Sequence, residues 1–257
     1  MKYALAAAQA LAGNDIRFAG AKLHIPGPMP IRLSTVLGNR RIHRLMDELL
    51  TPGAVVVDAG ANIGVNTVYA AQRVGRGGTV IAVEPAADNL AVLRDNVARN
   101  HLTNVTIAPV AAGHRSGERS FYLRGDVSAV NSFYQESVYA TVTGMVSVRV
   151  EPLDTLVKGE ADLVKIDVEG AELDVLAGMS RLLRSPTIHL IVEWHPLLQE
   201  KAGFEADALP KTLLDQGFAL VAASHLKSRP IHRPDLAAMV ADLKASGRPV
   251  DLLARRV

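Results

Sequence analysis

The chain has 257 residues, of which 49% are hydrophobic and 21% charged, with a net charge of +2 and no cysteine. These values suit one large domain, or a domain with a small appendage, and give no argument for nucleic-acid binding. They exclude disulfides, thiolate metal sites and cysteine nucleophiles, and no apolar run reaches the roughly 18 residues that a membrane span needs.

The Ala-rich start predicts a helix over residues 3–12 that ends near Gly13 and Asn14. A secretory leader is set aside, because Gln9 interrupts the run and its apolar character is weak. An extended segment over 16–25 follows, broken by Pro26-Gly-Pro28. A helix over 39–50 then carries Ile42, Leu45, Met46 and Leu49 on one face, and Thr51-Pro-Gly53 stops it. Residues 1–50 form a preface that is basic by +4, with seven Lys/Arg against three acids. It is expected to make substrate or dimer contacts.

From residue 51 onward strands and helices alternate. Strands are predicted at 54–58, 79–84, 104–109, 162–167, 187–193, 218–223 and 250–256. Helices are predicted at 64–74, 87–99, 170–183, 206–216 and 234–245. The fold class is α/β. Apolar strands buried on both faces mean a mostly parallel, seven-stranded sheet with helices on both faces, its last strand hairpinned into the edge. Residues 113–150 form an insertion with strands at 119–124 and 145–150, placed where Asn131, Ser132, Phe133 and Tyr134 could close over a ligand.

The most informative stretch is Val55-Val-Val-Asp-Ala-Gly-Ala-Asn-Ile-Gly64, followed by Val80-Ile-Ala-Val-Glu-Pro85. An apolar strand ends in Asp58, turns at Gly60 and opens a helix at Gly64. The glycine spacing is not that of a dinucleotide fingerprint, and an acid directly before the turn would repel a diphosphate. It would suit an ammonium group such as that of S-adenosylmethionine, whose carboxylate Asn62 and Asn66 could meet. Glu84, at the end of the second strand, can accept the ribose hydroxyls. Pro85 shapes the adenine wall, Asn89 supports the loop, and Ala111 lets the ring approach the third strand end.

Lys165-Ile-Asp-Val-Glu-Gly170 ends the fourth core strand and Ile191-Val-Glu-Trp-His-Pro196 the fifth. Strand alternation places Lys165, Asp167 and Glu169 on one side. Lys165 reads as a structural ion-pair partner and Glu172 as a cap in the first turn of the next helix. His195 is the first candidate for general base, because its pKa lies near working pH, with Asp167 and Glu169 as competitors and His114 as a further one. Glu193 and His195 are expected to emerge beside Asp167. No metal is assigned in the first instance. The alternative is a divalent cation such as Mg²⁺ on Asp167, Glu193 and His195.

At Val57–Gly64, Val83-Glu-Pro85, Asn96 to Asn100, Lys165-Ile-Asp-Val-Glu-Gly-Ala-Glu172 and Glu193, the chain resembles the FkbM family of S-adenosylmethionine-dependent methyltransferases. The resemblance covers roughly residues 50–195. It implies a Rossmann-like class I methyltransferase fold over 51–257 and O-methylation of a natural-product, sugar or lipid-linked glycan hydroxyl. It carries Asp58, Gly60, Asn62, Gly64 and Glu84 to cofactor binding, and Asp167 and Glu169 to the reactive face. A cytoplasmic enzyme with no nucleic-acid partner, and a possible homodimer, is the corresponding expectation. The alternatives are a catalytically silent cofactor-binding subunit and an NAD-dependent oxidoreductase.

Overall fold

A computed structural model describes residues 7, 9, 12–18, 20–124, 131–136, 141–223 and 228–256. Most of the helix expected over 3–12 lies outside them, and Ala7, Gln9 and Ala12 are helical. The extended segment expected over 16–25 is a hairpin, β1 (Asp15–Phe18) with β2 (Ala21–His24), paired Asp15 to His24 through Phe18 to Ala21. Gly20, at φ +91°, makes the reversal possible. Helix α1 (Met29–Gly38), which begins after Pro28, was not anticipated. Asn39 then leads into α2 (Arg40–Leu49).

The sheet is built from β3 (Val55–Ala59), β4 (Thr79–Val83), β5 (Val105–Ala108), β9 (Leu163–Ile166), β10 (His189–Trp194), β11 (Phe218–Ala223), β12 (Ser228–Ile231) and β13 (Val250–Arg256). Its order is β12-β11-β13-β10-β9-β3-β4-β5. The five strands from β10 to β5 are parallel. There are eight strands, not seven, because β12 adds an antiparallel edge. The last strand, β13, is not at the edge. It runs antiparallel between β10 and β11, because the chain returns through α9 (Leu236–Ser246) and fills the slot between them.

The helices α3 (Val65–Val74), α4 (Ala87–Arg99), α6 (Glu172–Ala177), α7 (Pro196–Lys201) and α8 (Ala208–Asp215) connect the strands, with a single short turn, α5 (Leu153–Leu156), before β9. The helix expected over 170–183 stops at Ala177 and is capped by Gly178, where a Cβ would sit 2.0 Å from the Gly113 carbonyl oxygen. The insertion contributes β6 (Ala111–Ala112), β7 (Gly117–Leu123) and β8 (Gly144–Glu151), a separate three-stranded sheet ordered β6-β8-β7.

One face of the main sheet buries Val57, Val164, Ile166, Leu176, Leu209 and Leu252. The other buries Val56, Val68 and Ile191 under the preface residues Ile16, Phe18, Leu23 and Met46. The His43 ring stacks on Tyr69 at 3.8 Å and 6°, with Phe18 beside it, and so seals α2 onto α3. Leu198 and Leu209 are core residues here, whereas Phe204 is exposed. The chain leaves β3 toward β4 on one side and reaches β9 and β10 on the other. This places a crevice between the ends of β3 and β9, where open α/β sheets bind ligands.

Candidate active site

A cavity of about 680 Å³ opens at that crevice, a volume within the range of small-molecule sites. Gly60–Asn62, Asn66, Glu84, Pro85, Asn89 and Ala111 line one wing, and Asp167, Glu169 and Glu193 line the floor. The opposite wing comes from the preface (Ile25–Pro28, Ile31, Ser34, Thr35) and the insertion (Phe121, Asn131, Phe133). The preface was expected to make substrate or dimer contacts, but the sequence did not show which of its residues line the cavity. The break at Pro26-Gly-Pro28 marked the position of this wall without showing what it faced.

The first wing is organised by the Glu84 carboxylate. It accepts the Asn62 and Ala86 backbone N–H groups, each at 2.9 Å, and Asn89 Nδ2 at 3.1 Å. Burial raises its pKa, and those three donors pull it back. They use three of the roughly four acceptor positions of a carboxylate. One acceptor position is therefore left open, and a second would open only on displacement of Asn89. Asn62 stands at φ +50°, a conformation Asn tolerates. The Asn62 and Asn66 Oδ1 atoms are buried with no hydrogen-bond partner among the described residues.

Three expected cofactor residues have different surroundings from those anticipated. Asp58 is fully buried below the cavity and not in its wall. It accepts Thr67 Oγ1 at 2.6 Å and faces Lys165 Nζ at 3.4 Å. Gly64 is also outside the lining. Its φ of +85° is a conformation that favours glycine, and a Cβ there would also press on Leu93 Cδ1 at 2.4 Å. Gly60 does line the cavity, but its constraint is the neighbouring strand end. At φ +79° a Cβ would sit 1.9 Å from the Asp167 carbonyl oxygen. Replacing Gly60 with alanine is expected to destabilise the fold by more than about 3 kcal/mol. A urea midpoint corresponding to a loss under about 1 kcal/mol would contradict this.

Lys165 is buried at the pivot. Its Nζ lies 3.2 Å from Asp167 Oδ2 and donates to the Gly60 carbonyl at 3.2 Å. Burial favours the neutral amine, but Asp167 and Asp58 outweigh it and raise the pKa, so the lysine stays charged. It is the ion-pair partner expected from its placement.

Glu169 has φ +55°, and its Oε2 is buried without a hydrogen-bond partner. Its pKa lies well above the usual carboxylate range, through burial first and then Asp167 and Glu172, with Arg124 and Lys165 opposing. Glu193 is raised for the same reasons, by burial and then by Asp167, Glu169 and its cross-strand neighbour Asp251. Asp167, Glu169 and Glu193 each place an oxygen within 4.8 Å of the others. Such hard oxygen donors are of the type that holds Mg²⁺ or Ca²⁺.

His195 does not join them. Strand parity held only as far as Trp194, where Pro196 starts α7. His195 becomes the residue before that helix, and its ring meets the backbone of Gly247, outside the cavity lining. The residues of the alternative cation set, Asp167, Glu193 and His195, are therefore not brought together, and the carboxylate cluster contains Glu169 in place of His195. His114 is exposed and also outside the lining.

Glu172 braces the floor from below. It accepts the Val168 and Gly170 N–H groups at 3.3 and 3.0 Å and Gln199 Nε2 at 2.7 Å. Burial lifts its pKa to about 7 despite these donors. Because the folded state holds this proton more tightly than the unfolded chain, stability falls as pH rises from about 4.5 to about 7, by about 3 kcal/mol. Glu172→Gln is expected to flatten that dependence, since Gln199 Oε1 has no partner and a rotated Gln199 amide can accept from the new side chain. Urea denaturation at pH 5 and pH 8 measures this, and an unchanged slope would refute it.

A profile described as the Methyltransferase FkbM domain matches residues 58–220. The chain belongs to the FkbM methyltransferase family. The match begins at Asp58 and ends inside β11, so it spans both wings of the crevice apart from the preface. Methyltransferase 1 of Beauveria bassiana is 28% identical over 204 residues, covering 71% of this chain and 75% of that protein. The hexuronic acid methyltransferase AglP of Haloferax volcanii is 30% identical over 168 residues, covering 64% of this chain and 65% of that protein. Among solved structures, SMU.1697c of Streptococcus mutans, solved in complex with SAH, is similar with a TM-score of 0.50 at 11% identity. That match covers 84% of this chain and 96% of that one. The fold is the Rossmann-like class I methyltransferase fold, with β12 added. Methyl transfer is the activity of the FkbM family to which this chain belongs. No helix among the described residues is long and apolar enough to cross a membrane.

Proposed function

We propose that the protein is an S-adenosylmethionine-dependent O-methyltransferase acting on a sugar-like hydroxyl, with Glu193 and Glu169 as the proton-accepting pair. The observation that carries this reading is the shared cavity, in which the Glu84 wing and the carboxylate floor face one another. The hexuronic acid methyltransferase among its relatives supports a sugar acceptor.

S-adenosylmethionine, bound with its ribose at Glu84, supplies an electrophilic methyl group on a positively charged sulfur. The protein has to bring a hydroxyl into line with it and remove its proton. Ile25, Pro26, Pro28, Phe121 and Phe133 offer the acceptor an apolar wall, and Ser34, Thr35 and Asn131 offer hydrogen bonds. Glu193 takes the hydroxyl proton as the oxygen bonds to the methyl carbon. The electron pair of the broken carbon–sulfur bond stays on sulfur, giving S-adenosylhomocysteine. Glu169, with an oxygen within 4.8 Å of one on Glu193, helps to raise the Glu193 pKa, and Asp167, held by Lys165, keeps the floor in register.

Calorimetric titration with S-adenosylmethionine, S-adenosylhomocysteine and NAD tests the donor. A labelled-methyl assay on neutral glycosides, hexuronides and amines, with and without Mg²⁺, tests the acceptor and the cation. Binding of the first two ligands and label in an ether linkage are expected. Binding of NAD alone, or label only on nitrogen, would overturn the reading.

A further inference from the structure

The preface reaches the cavity through a hairpin of four-residue strands, which is too small to hold its own position. Its outer edge is held by two asparagines four residues apart, Asn96 in the last turn of α4 and Asn100 at its C-cap. Asn100 Oδ1 accepts the Lys22 N–H at 2.7 Å, and its Nδ2 donates to the Lys22 carbonyl at 2.7 Å. Asn96 repeats the pattern two residues on, accepting the His24 N–H at 2.6 Å and donating to the His24 carbonyl at 3.0 Å. The side-chain amides thus stand in for a neighbouring strand and close an open sheet edge.

Asn96 makes one contact that Asn100 does not. Its Nδ2 also donates to the Ile63 carbonyl at 2.8 Å. Ile63 lies in the turn between Asn62 and Gly64, whose backbone stands at φ +50° and +85° at those two residues. Asn96 is completely buried, and its bond to Ile63 is buried too, so losing that bond leaves a buried carbonyl unpaired. A single amide nitrogen therefore joins the loop beside Glu84 to the last residue of β2. The next four residues, Ile25–Pro28, are cavity wall.

We propose that Asn96 is a positioning residue that couples the cofactor loop to the preface wall, so that an occupied loop fixes the wall against which the acceptor binds. The inference rests on the reading of residues 60–64 as the cofactor loop. A ligand on that loop restrains Ile63. The restraint passes through Asn96 to His24 and so to Ile25–Pro28. The acceptor site is then complete only on the cofactor-loaded enzyme.

Hydrogen exchange, resolved to the Lys22 and His24 amides, tests this with S-adenosylhomocysteine on wild type, Asn96→Asp and Asn100→Asp. Neither amide belongs to a cavity-lining residue, so protection there reports coupling and not direct cover. Asn96→Asp keeps the acceptor for the His24 N–H but turns an oxygen toward the two carbonyls. In wild type the ligand is expected to slow exchange at His24 about tenfold, the scale of one or two net hydrogen bonds. Asn96→Asp should lose that ligand dependence. Asn100→Asp should exchange faster at Lys22 in every state yet keep the response at His24.

Calorimetry on the same samples separates the two ideas. Ligand binding to wild type without slower exchange at His24 overturns the coupling and leaves the cofactor reading intact. Failure of wild type to bind overturns both. An undiminished response in Asn96→Asp overturns the role of Asn96. Should that variant not fold, the wild-type comparison with Asn100→Asp still decides whether the ligand reaches His24 at all.

Discussion

Replacing Glu84 with alanine is expected to weaken both S-adenosylmethionine and S-adenosylhomocysteine at least about a hundredfold, roughly 2.7 kcal/mol or more. A hydrogen bond to a charged group contributes about 1.5–3 kcal/mol directly. The substitution also strands the Asn62 and Ala86 N–H groups and Asn89 Nδ2, which all end on this carboxylate. Asn62 belongs to the turn that shapes the same wing, so the pocket loosens as well as losing a contact. Calorimetry measures the effect, with circular dichroism to show that the sheet persists. An affinity within about fivefold of wild type would remove Glu84 from the binding site. The companion change Asn89→Ala is milder on the same geometry, because it frees the acceptor position that a second ribose hydroxyl needs.

Glu193→Gln is expected to lower kcat by about 10²–10⁴ on a hydroxyl acceptor while S-adenosylhomocysteine affinity stays within about threefold. Glutamine preserves the volume and removes the proton acceptor. Glu169→Gln should differ in kind. Glu169 is one of the charges that raise the Glu193 pKa, so removing it lowers that pKa. The acidic limb of the pH–rate profile should then move to lower pH, with a smaller loss of kcat at neutral pH. A Glu193→Gln enzyme with wild-type kcat, or a Glu169→Gln profile displaced to higher pH, would refute the assignment of the proton to this pair. Lys165 stays charged across the range, so the profile follows the carboxylates.

The two sets of predictions rest on different levels of the chain. The strand-end acids were legible because their residue types follow apolar runs directly. Val80–Val83 is buried strand, and Glu84 is the next residue along. The same logic failed at His195, because alternation describes a strand only while the strand continues, and Pro196 ends it. Nor does local order record that Gly64 packs against Leu93, which is distant in sequence.

By itself the sequence determined the parallel α/β core, the family and the positions of Gly60, Glu84, Asp167 and Glu169 at one end of the sheet. The family followed from the resemblance of whole motifs, and the others from local order, in which an apolar run, an acid and a turn are consecutive. Only the tertiary structure decided what faces what. It set β13 between β10 and β11, added β12, and folded residues 15–24 into a hairpin. It buried Asp58 beneath Lys165, moved His195 toward Gly247, and brought Asn96 onto Ile63 and His24. These are contacts between segments tens of residues apart, set by packing and hydrogen-bond satisfaction, and no local pattern of residue types records them.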